Sequence, residues 1–474
     1  MGAQFTEKLR QASIFFLVGV FGLTATGCGT TNTNKQSAPA QVRIWRLNQD
    51  VDTIRDSVNT FNSQTGGSAV VTYTKKTLPG YELDALKSMA ARKGPDIWSI
   101  PNDWVDDYQN QIIPLPDNFF YASGATSGPS PAQEVKTLFP AGIANALIRP
   151  DGKVYGMPTN VDSLRLYYNP DLFDTALQDF RQSQGDNLSD SVYQPVRQLL
   201  SNPPATWNDL VNQAKYLTVR SGNTITRSAI ALGTADNIPD AVDTLYLLML
   251  QNGAQIISSD RRDALFHVPQ TTPSGGIVKP GENALDFYTS FANPNKSNYS
   301  WNPSMPQALD AFAQGKVAMV IAYSDFADQL QVKYPKFHPQ VAPVPQITVD
   351  NVQQPVNFIK FSIETVTQTA DNPAAAFAFM KLYTAQDSAD NLASEQKLRS
   401  PYLTTLNKDT SNYENEQALT GQTTFKEDHS QFDSVFHDMI VNVSQDNIAV
   451  PDAISTGAQQ INQLLLNAQQ SNSQ

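Results

Sequence analysis

Val42-Arg43-Ile44-Trp45-Arg46-Leu47, followed by Val51, Ile54, Val58 and Phe61 at spacings of three and four, is the stretch on which the fold turns. The first run reads as a strand and the second as one face of a helix, stopped by Gly66-Gly67. Ala69-Val70-Val71-Thr72-Tyr73-Thr74 is β-branched and strand-like; Leu83, Leu86 and Ala90 mark a second helix closed by Gly94-Pro95. Asp96-Ile97-Trp98-Ser99-Ile100 is a third strand. Strand, helix, strand, helix, strand with short connections predicts a parallel, doubly wound α/β sheet. With strands ordered 2-1-3, ligand binds beyond the carboxyl ends of strands one and three. Leu47-Asn48-Gln49-Asp50 and Pro101-Asn102-Asp103-Trp104 lie there. Their amides, carboxylates and indole suit a neutral polyhydroxylated ligand, through hydroxyl contacts and an aromatic face for C–H surface.

Farther along, Thr206 caps a helix opened by Trp207-Asn208-Asp209, and residues 241–251 are apolar nearly all round, predicting a buried helix. Residues 306–314 read as a helix leading through Gly315-Lys316 into the apolar strand 317–323. Asn372 and Pro373 start another helix, and Ile454, Ile461 and Leu464-Leu465 a last one. The polar stretches 123–132, 182–191 and 270–281 read as exposed loops.

The chain has 474 residues, enough for two or three domains at roughly 100–200 residues each. Its 33 Lys+Arg against 45 Asp+Glu give a net charge of −12, which excludes the basic surface that nucleic acid requires. One Cys excludes a disulfide framework, an iron–sulfur cluster and a thiolate zinc site, and four scattered His do not make a metal site. Only 16% of residues are charged, so the surface is largely neutral and polar, as suits an exported protein.

The first residues read as an address. Lys8 and Arg10 precede an apolar run from Ile14 to Leu23, and Ala25-Thr26-Gly27 stand before Cys28. The run is too short to span a bilayer and has the layout of an export signal. Ala-Thr-Gly-Cys resembles the bacterial lipobox, which implies a signal peptide 1–27, a lipid on Cys28 and a flexible tether 28–40. The expected location is the extracytoplasmic face of a bacterial membrane, held by acyl chains.

Three further segments carry a resemblance. Asp151-Gly152-Lys153-Val154-Tyr155-Gly156-Met157-Pro158, Val161-Asp162-Ser163-Leu164 and Leu166-Tyr167-Tyr168-Asn169-Pro170-Asp171-Leu172-Phe173 resemble the hinge segment of the bacterial extracellular solute-binding proteins. These are the sugar-type receptors of ABC importers, to which maltose-binding protein belongs. Pro95-Asp96-Ile97-Trp98, Pro203-Pro204-Ala205-Thr206-Trp207 and residues 312–319 are similar to further segments of that family, in its order, and the likeness runs from about residue 42 to about residue 403. The resemblance implies a two-lobed periplasmic-binding-protein-like fold, each lobe a doubly wound sheet flanked by helices, with a multi-strand hinge. Lobe 1 would be 41–158 and 350–402, lobe 2 would be 163–345 and 403–470, and the hinge crossings 159–162, 345–350 and about 402. By position, the implied ligand contacts are Gln49, Asp50, Asn102, Asp103, Trp104, Asp162, Asp243, Tyr246, Tyr323, Ser324, Asp325, Asn357 and Phe358. Residues 322–325 and 356–359 depart from the family pattern, lacking the glycines and the Trp usual in sugar binders.

The candidates include no excess of Arg or Lys, so the implied solute is a neutral carbohydrate. The implied partners are that small molecule and ABC permease subunits with a separate ATPase, served by a monomer that needs no cofactor or metal. Tyr167-Tyr168 invites comparison with iron receptors, but in a strand the two rings point to opposite faces. His267, His338, His429 and His437 read as surface or structural, and the paired acids Asp106-Asp107 and Glu427-Asp428 as solvated charge. No nucleophile elbow, Walker loop or dinucleotide fingerprint is present, so no catalytic residue is assigned. A surface-anchored hydrolase, an adhesin lipoprotein and a receptor for a non-sugar solute stand as the alternatives.

Overall fold

The computed structural model describes residues 39–471 except 48–50, 78, 123, 186–187, 223, 273–274, 350–351 and 354. Cys28 with its leader, most of the tether, Gln49 and Asp50 lie outside the described residues.

The opening unit forms β1 (Ala40–Leu47), α1 (Arg55–Gln64), β2 (Ala69–Lys76), α2 (Tyr81–Ala90) and β3 (Ile97–Pro101). β1 lies between β2 and β3 and is parallel to both, pairing Ile44 with Tyr73 on one side and with Ile97 on the other. The 2-1-3 order therefore holds. Alternation places Val42, Ile44 and Arg46 on one fully buried face of β1. Arg46 is tolerated there because Glu364, also fully buried, lies 3.2 Å away. Ser99 Oγ and Tyr383 Oη donate to the same carboxylate at 3.0 and 2.6 Å. These extra hydrogen bonds satisfy the carboxylate of the buried pair, whereas Arg46 Nε, Nη1 and Nη2 find no hydrogen-bond acceptor among the described residues and rest on the ionic contact alone.

The second helix packs a different face from the one its leucines suggest. Tyr81, Ala85 and Met89 are the buried residues of α2, while Leu83 is 54% exposed. Tyr81 decides the rotation: its hydroxyl donates to the carbonyls of Trp45 and Ser99 inside the sheet.

Beyond β3 the first sheet continues with the antiparallel strand Ser362–Thr367 and then Ile112–Ile113, and Met157–Pro158 also pairs with Ser362–Thr367. A second mixed sheet runs Gln340–Ala342, Arg165–Tyr168, Val317–Ala322, Thr224–Ala231, Val219–Ser221. Each sheet has its own hydrophobic core. Helix Ala241–Gln251 is sequestered in the second, with Leu245 to Met249 all buried, as its all-round apolar pattern requires. Thr206 caps helix Trp207–Leu217 in a capping box with Asp209.

Two neighbouring antiparallel strands carry the chain between the cores. Met157–Pro158 pairs with the first sheet, and Asp162–Ser163 pairs with Asn357–Lys360. Along them Val161 belongs to the first core and Leu164 to the second, while Phe358 belongs to the second and Ile359 to the first. The third passage lies between Ala418, in the first core, and Phe425, against the second. Both later passages fall farther along the chain than 345–350 and about 402. The reason is local: Thr348–Val349 folds back on Val352–Gln353 as a hairpin, and the short helices Leu403–Leu406 and Tyr413–Leu419 bury Leu406 and Ala418 in the first core.

Two stretches expected as exposed loops are largely exposed but partly structured. Helices Pro170–Gln184 and Asp190–Leu200 extend into 182–191 from either side, the second burying Val196 and Leu200, and Gln270–Thr271 pairs with Ile277–Val278 as a hairpin. Among the described residues no helix is long and apolar enough to cross a membrane.

Candidate functional site

β3 ends in a single 3-10 turn, Asn102–Trp104. Asn102 anchors it: its backbone N donates to Phe361 O, its Oδ1 accepts from Phe361 N at 2.9 Å, and its Nδ2 donates to Thr423 Oγ1 at 3.2 Å. One amide thus ties the end of the first sheet to the third passage. The anchored turn projects Asp103 and Trp104. Trp104 packs among Tyr81, Trp98 and Tyr108, and His429 stacks on it with centroids 5.1 Å apart and planes at 27°.

Asp103 meets Lys426, which joins much of the site. The Lys426 ammonium lies 3.2 Å from Asp103, 2.8 Å from Asp433 and 5.2 Å from the ring centroid of Tyr246. Burial opposes its charge, yet Asp103, Asp243 and Asp433 together hold its pKa above the ordinary value. Asp433 is pushed up to about 6, by burial first, with Lys426 opposing and Asp243 and Asp103 adding to the rise. Tyr246 is fully buried, stacked on Phe358 at 5.6 Å and 21°, with its hydroxyl 3.4 Å from Asp433.

A second cation organises the other half. Lys360 lies 3.7 Å above the ring centroid of Tyr323 and 3.7 Å from Asp325. Asp240 accepts from the Tyr323 backbone N at 3.1 Å. Its carboxyl is pushed up to about 7, by burial against the opposing charge of Lys360, with Asp243 and Asp325 contributing. Asp162 is saturated by its neighbours: Oδ1 accepts from Ser163 N and Arg165 Nη2 at 2.9 Å each, and Oδ2 from Ser324 N and Oγ at 3.1 and 2.6 Å. Asp243, in the first turn of helix Ala241–Gln251, joins the two halves, since its charge acts on Tyr246, Tyr323, Lys360 and Lys426 alike.

Asp103 and Tyr246 thus meet at Lys426, Tyr323 and Asp325 meet at Lys360, and Asp162 meets Ser324, while Trp104 is a member of the first core and Tyr246, Tyr323 and Phe358 of the second. Asn102 and Asn357 are tied into packing instead. Asn357 is 2% exposed, donates to Thr420 Oγ1 at 2.8 Å and accepts from Gln346 at 3.2 Å. A cavity of about 410 Å³ opens beside Asp103, lined by Arg149, Arg261, Thr423 and Phe425 among others.

Two expectations need correction. The site is not free of cations: Lys360, Lys426, Arg149 and Arg261 all stand at it. The paired acids are not free surface charge either, since each of Asp106, Asp107 and Asp428 is engaged by a partner. Asp106, with a side chain only 6% exposed, lies between Arg149 Nη1 at 2.7 Å and Arg261 Nη1 at 2.6 Å. Asp107 and His429 bond at 2.5 Å, and Asp428 caps helix His429–Ser444. Glu427 is pushed up to about 7 by burial and by the charges of Asp106 and Asp107. Acids adjacent in sequence do not face each other, but here one pair approaches the other pair across the fold. No spacing pattern announces Lys426, His429, Arg149 or Arg261, because their partners are far away in sequence.

Comparison with known proteins matches this architecture. The sugar-binding protein of Xanthomonas citri superposes with a TM-score of 0.66 over 92% of this chain and 100% of its own, at 15% identity. The cyclic α-maltosyl-1,6-maltose binding protein of Arthrobacter globiformis gives 0.63 over 90% and 100%, at 18% identity. A solute-binding protein of Thermotoga lettingae bound with α-D-tagatose gives 0.60 over 90% and 100%, at 18%. At these identities the likeness shows the fold. Curated relatives from Brucella abortus and Brucella suis, each carried under the bare designation of a binding protein, are 23% identical over 201 residues. That match spans 41% of this chain and 38% of the relatives' length. The family model for bacterial extracellular solute-binding proteins matches residues 56–420, most of the chain, and the chain belongs to that family.

Proposed function

We propose that this protein is the receptor of an ABC importer, capturing a sugar or oligosaccharide between its lobes and handing it to a membrane permease driven by a separate ATPase. The observation that carries the reading is that Asp103 of the first lobe faces Asp243 and Asp433 of the second around Lys426, beside a cavity of about 410 Å³ lined in part by Phe425. Carboxylates accept from sugar hydroxyls, and aromatic rings cover the apolar faces of pyranoses. Solved proteins of the same fold that carry sugars in their names, among them the tagatose and maltosyl-maltose binders, support the choice of ligand class. Lobe 1 and lobe 2 are the halves that would close on the solute, and Cys28 is the site of the lipid that would hold the receptor at the extracytoplasmic membrane face.

A thermal-shift screen of the purified protein against sugars, oligosaccharides, peptides and amino acids tests the reading. A carbohydrate at about a hundred times its Kd raises stability by ~2.7 kcal/mol. Stabilisation by a peptide or an amino acid and by no carbohydrate overturns the ligand class; stabilisation by none of them overturns the receptor.

A further inference from the structure

One short segment after β3 supplies three carboxylates to three cations of the opposite lobe. Asp103 pairs with Lys426 at 3.2 Å, Asp106 with Arg261 at 2.6 Å, and Asp107 with His429 at 2.5 Å. Val105 and Tyr108, within the same segment, belong to the first core, whereas Ala264, Phe266 and Phe432, flanking the three cations, belong to the second. Each pair therefore spans the lobes. Arg261 is delivered by a turn in which it adopts φ +59°, a left-handed conformation uncommon for a bulky side chain. Ser258 Oγ holds that turn by accepting from Arg262 N and Asp263 N at 3.0 Å each.

Two of the pairs are built to be broken. Asp106 also holds Arg149 of its own lobe at 2.7 Å, and Lys426 also holds Asp433 of its own lobe at 2.8 Å. When the lobes part, both keep an ionic partner, so neither is left as an uncompensated buried charge. Asp107 and His429 have no such second ionic partner among the described residues.

We infer that the lobes hold themselves closed without solute through this three-pair charge latch, and that His429 makes the latch weaken as pH rises. His429 stacks on Trp104, and the charged groups facing it are Asp107, Asp103 and Glu82, all carboxylates, with Asp428 preceding it in the chain. Burial disfavours its charged form, but Asp107 and the other acids prevail and raise its pKa above the ordinary 6.5. Burial also raises the Asp107 carboxyl above its ordinary range, so the pair is charged in the window between that acid and His429, losing its charge as pH climbs through the raised His429 value and again in acid as Asp107 takes up a proton. Glu427 acts in the same sense. Arg261, Asp106, Asp107 and Asp428 face it, and as it ionises near pH 7 it adds a negative charge beside the two latch acids of the other lobe. The latch goes beyond the proposed solute chemistry, since it operates with the site empty.

Small-angle scattering of the purified full-length protein without solute tests it directly. The wild type should be compact at about pH 6 and shift to a larger radius of gyration at about pH 8.5. His429→Gln and Arg261→Gln should each give the larger radius already at about pH 6. Arg261→Gln alters a turn outside both cores, and circular dichroism confirms that each variant is folded. Wild-type curves that superimpose at the two pH values, or folded variants that both scatter as the wild type at the lower one, overturn the latch. Because no solute is present, a failed sugar screen and a failed latch are separate results.

Discussion

At the scale of single residues, Asp243 and Asp240 behave differently although both open the same helix. Asp243 acts on two tyrosines and two lysines and is partly exposed, and in the proposed site it is the carboxylate that would accept from a solute hydroxyl. Hydrogen bonds to a charged group are worth ~1.5–3 kcal/mol, so Asp243→Asn should weaken carbohydrate binding about ten- to a hundred-fold, as titration calorimetry would read it. Wild-type affinity in that variant would move the site elsewhere. Asp240 carries a stability signature instead. Its folded pKa of about 7 lies above the ordinary 3.8, so between those values the native state binds a proton that the unfolded state has released. Stability therefore falls as pH rises through that window. Asp240→Asn keeps an acceptor for the Tyr323 N–H and removes the charge, so it should raise the thermal midpoint at about pH 8 and change it little at about pH 4.

At the scale of elements, local signals were readable wherever the determinant is local. The Thr206 cap with Asp209 three residues later is one, and Thr206→Ala should cost about 1 kcal/mol in denaturant unfolding through loss of that box. The face of α2 was not readable, because the burial of Tyr81 is set by carbonyls of β1 and β3 rather than by the spacing of leucines. Another contact invisible in sequence joins helix Ala141–Leu147 to strand Gly421–Gln422. A Cβ at Gly142 would lie 1.9 Å from Gly421 O, so only glycine lets the helix sit against this passage between the cores. Gly142→Ala should destabilise by about 1–3 kcal/mol, the usual cost of overpacking, and a stability equal to wild type would show that the helix can step aside.

For the whole molecule, two cores are joined by three passages, and the family places such proteins outside the cytoplasm. In the proposed receptor, the lipid on Cys28 would supply retention at the membrane. Cys28→Ser should release the protein from the membrane fraction of a bacterial host or leave its leader uncleaved, checked by fractionation and intact mass. Normal processing with undiminished membrane retention would remove Cys28 as the anchor. A net charge of −12 gives the protein no overall attraction for anionic polymers.

The sequence by itself determined the α/β class, the order of the opening strands, the cap at Thr206 and the all-round buried helix Ala241–Gln251, because each follows from periodicity or from contacts within a few residues. It also placed Asp103, Trp104, Asp243, Tyr246, Tyr323 and Asp325 among the candidates through resemblance of whole segments. Only the tertiary structure decided which charges oppose one another. Asp103 and Lys426 are separated by 323 residues, Asp106 and Arg261 by 155, and Asp107 and His429 by 322. A carboxylate read alone is indistinguishable from solvated surface charge, since its partner and its burial are both properties of the folded chain. The passages between the cores, by contrast, lie farther along the chain for a local reason, the hairpin Thr348–Val349 with Val352–Gln353 and the two short helices that precede Gly421.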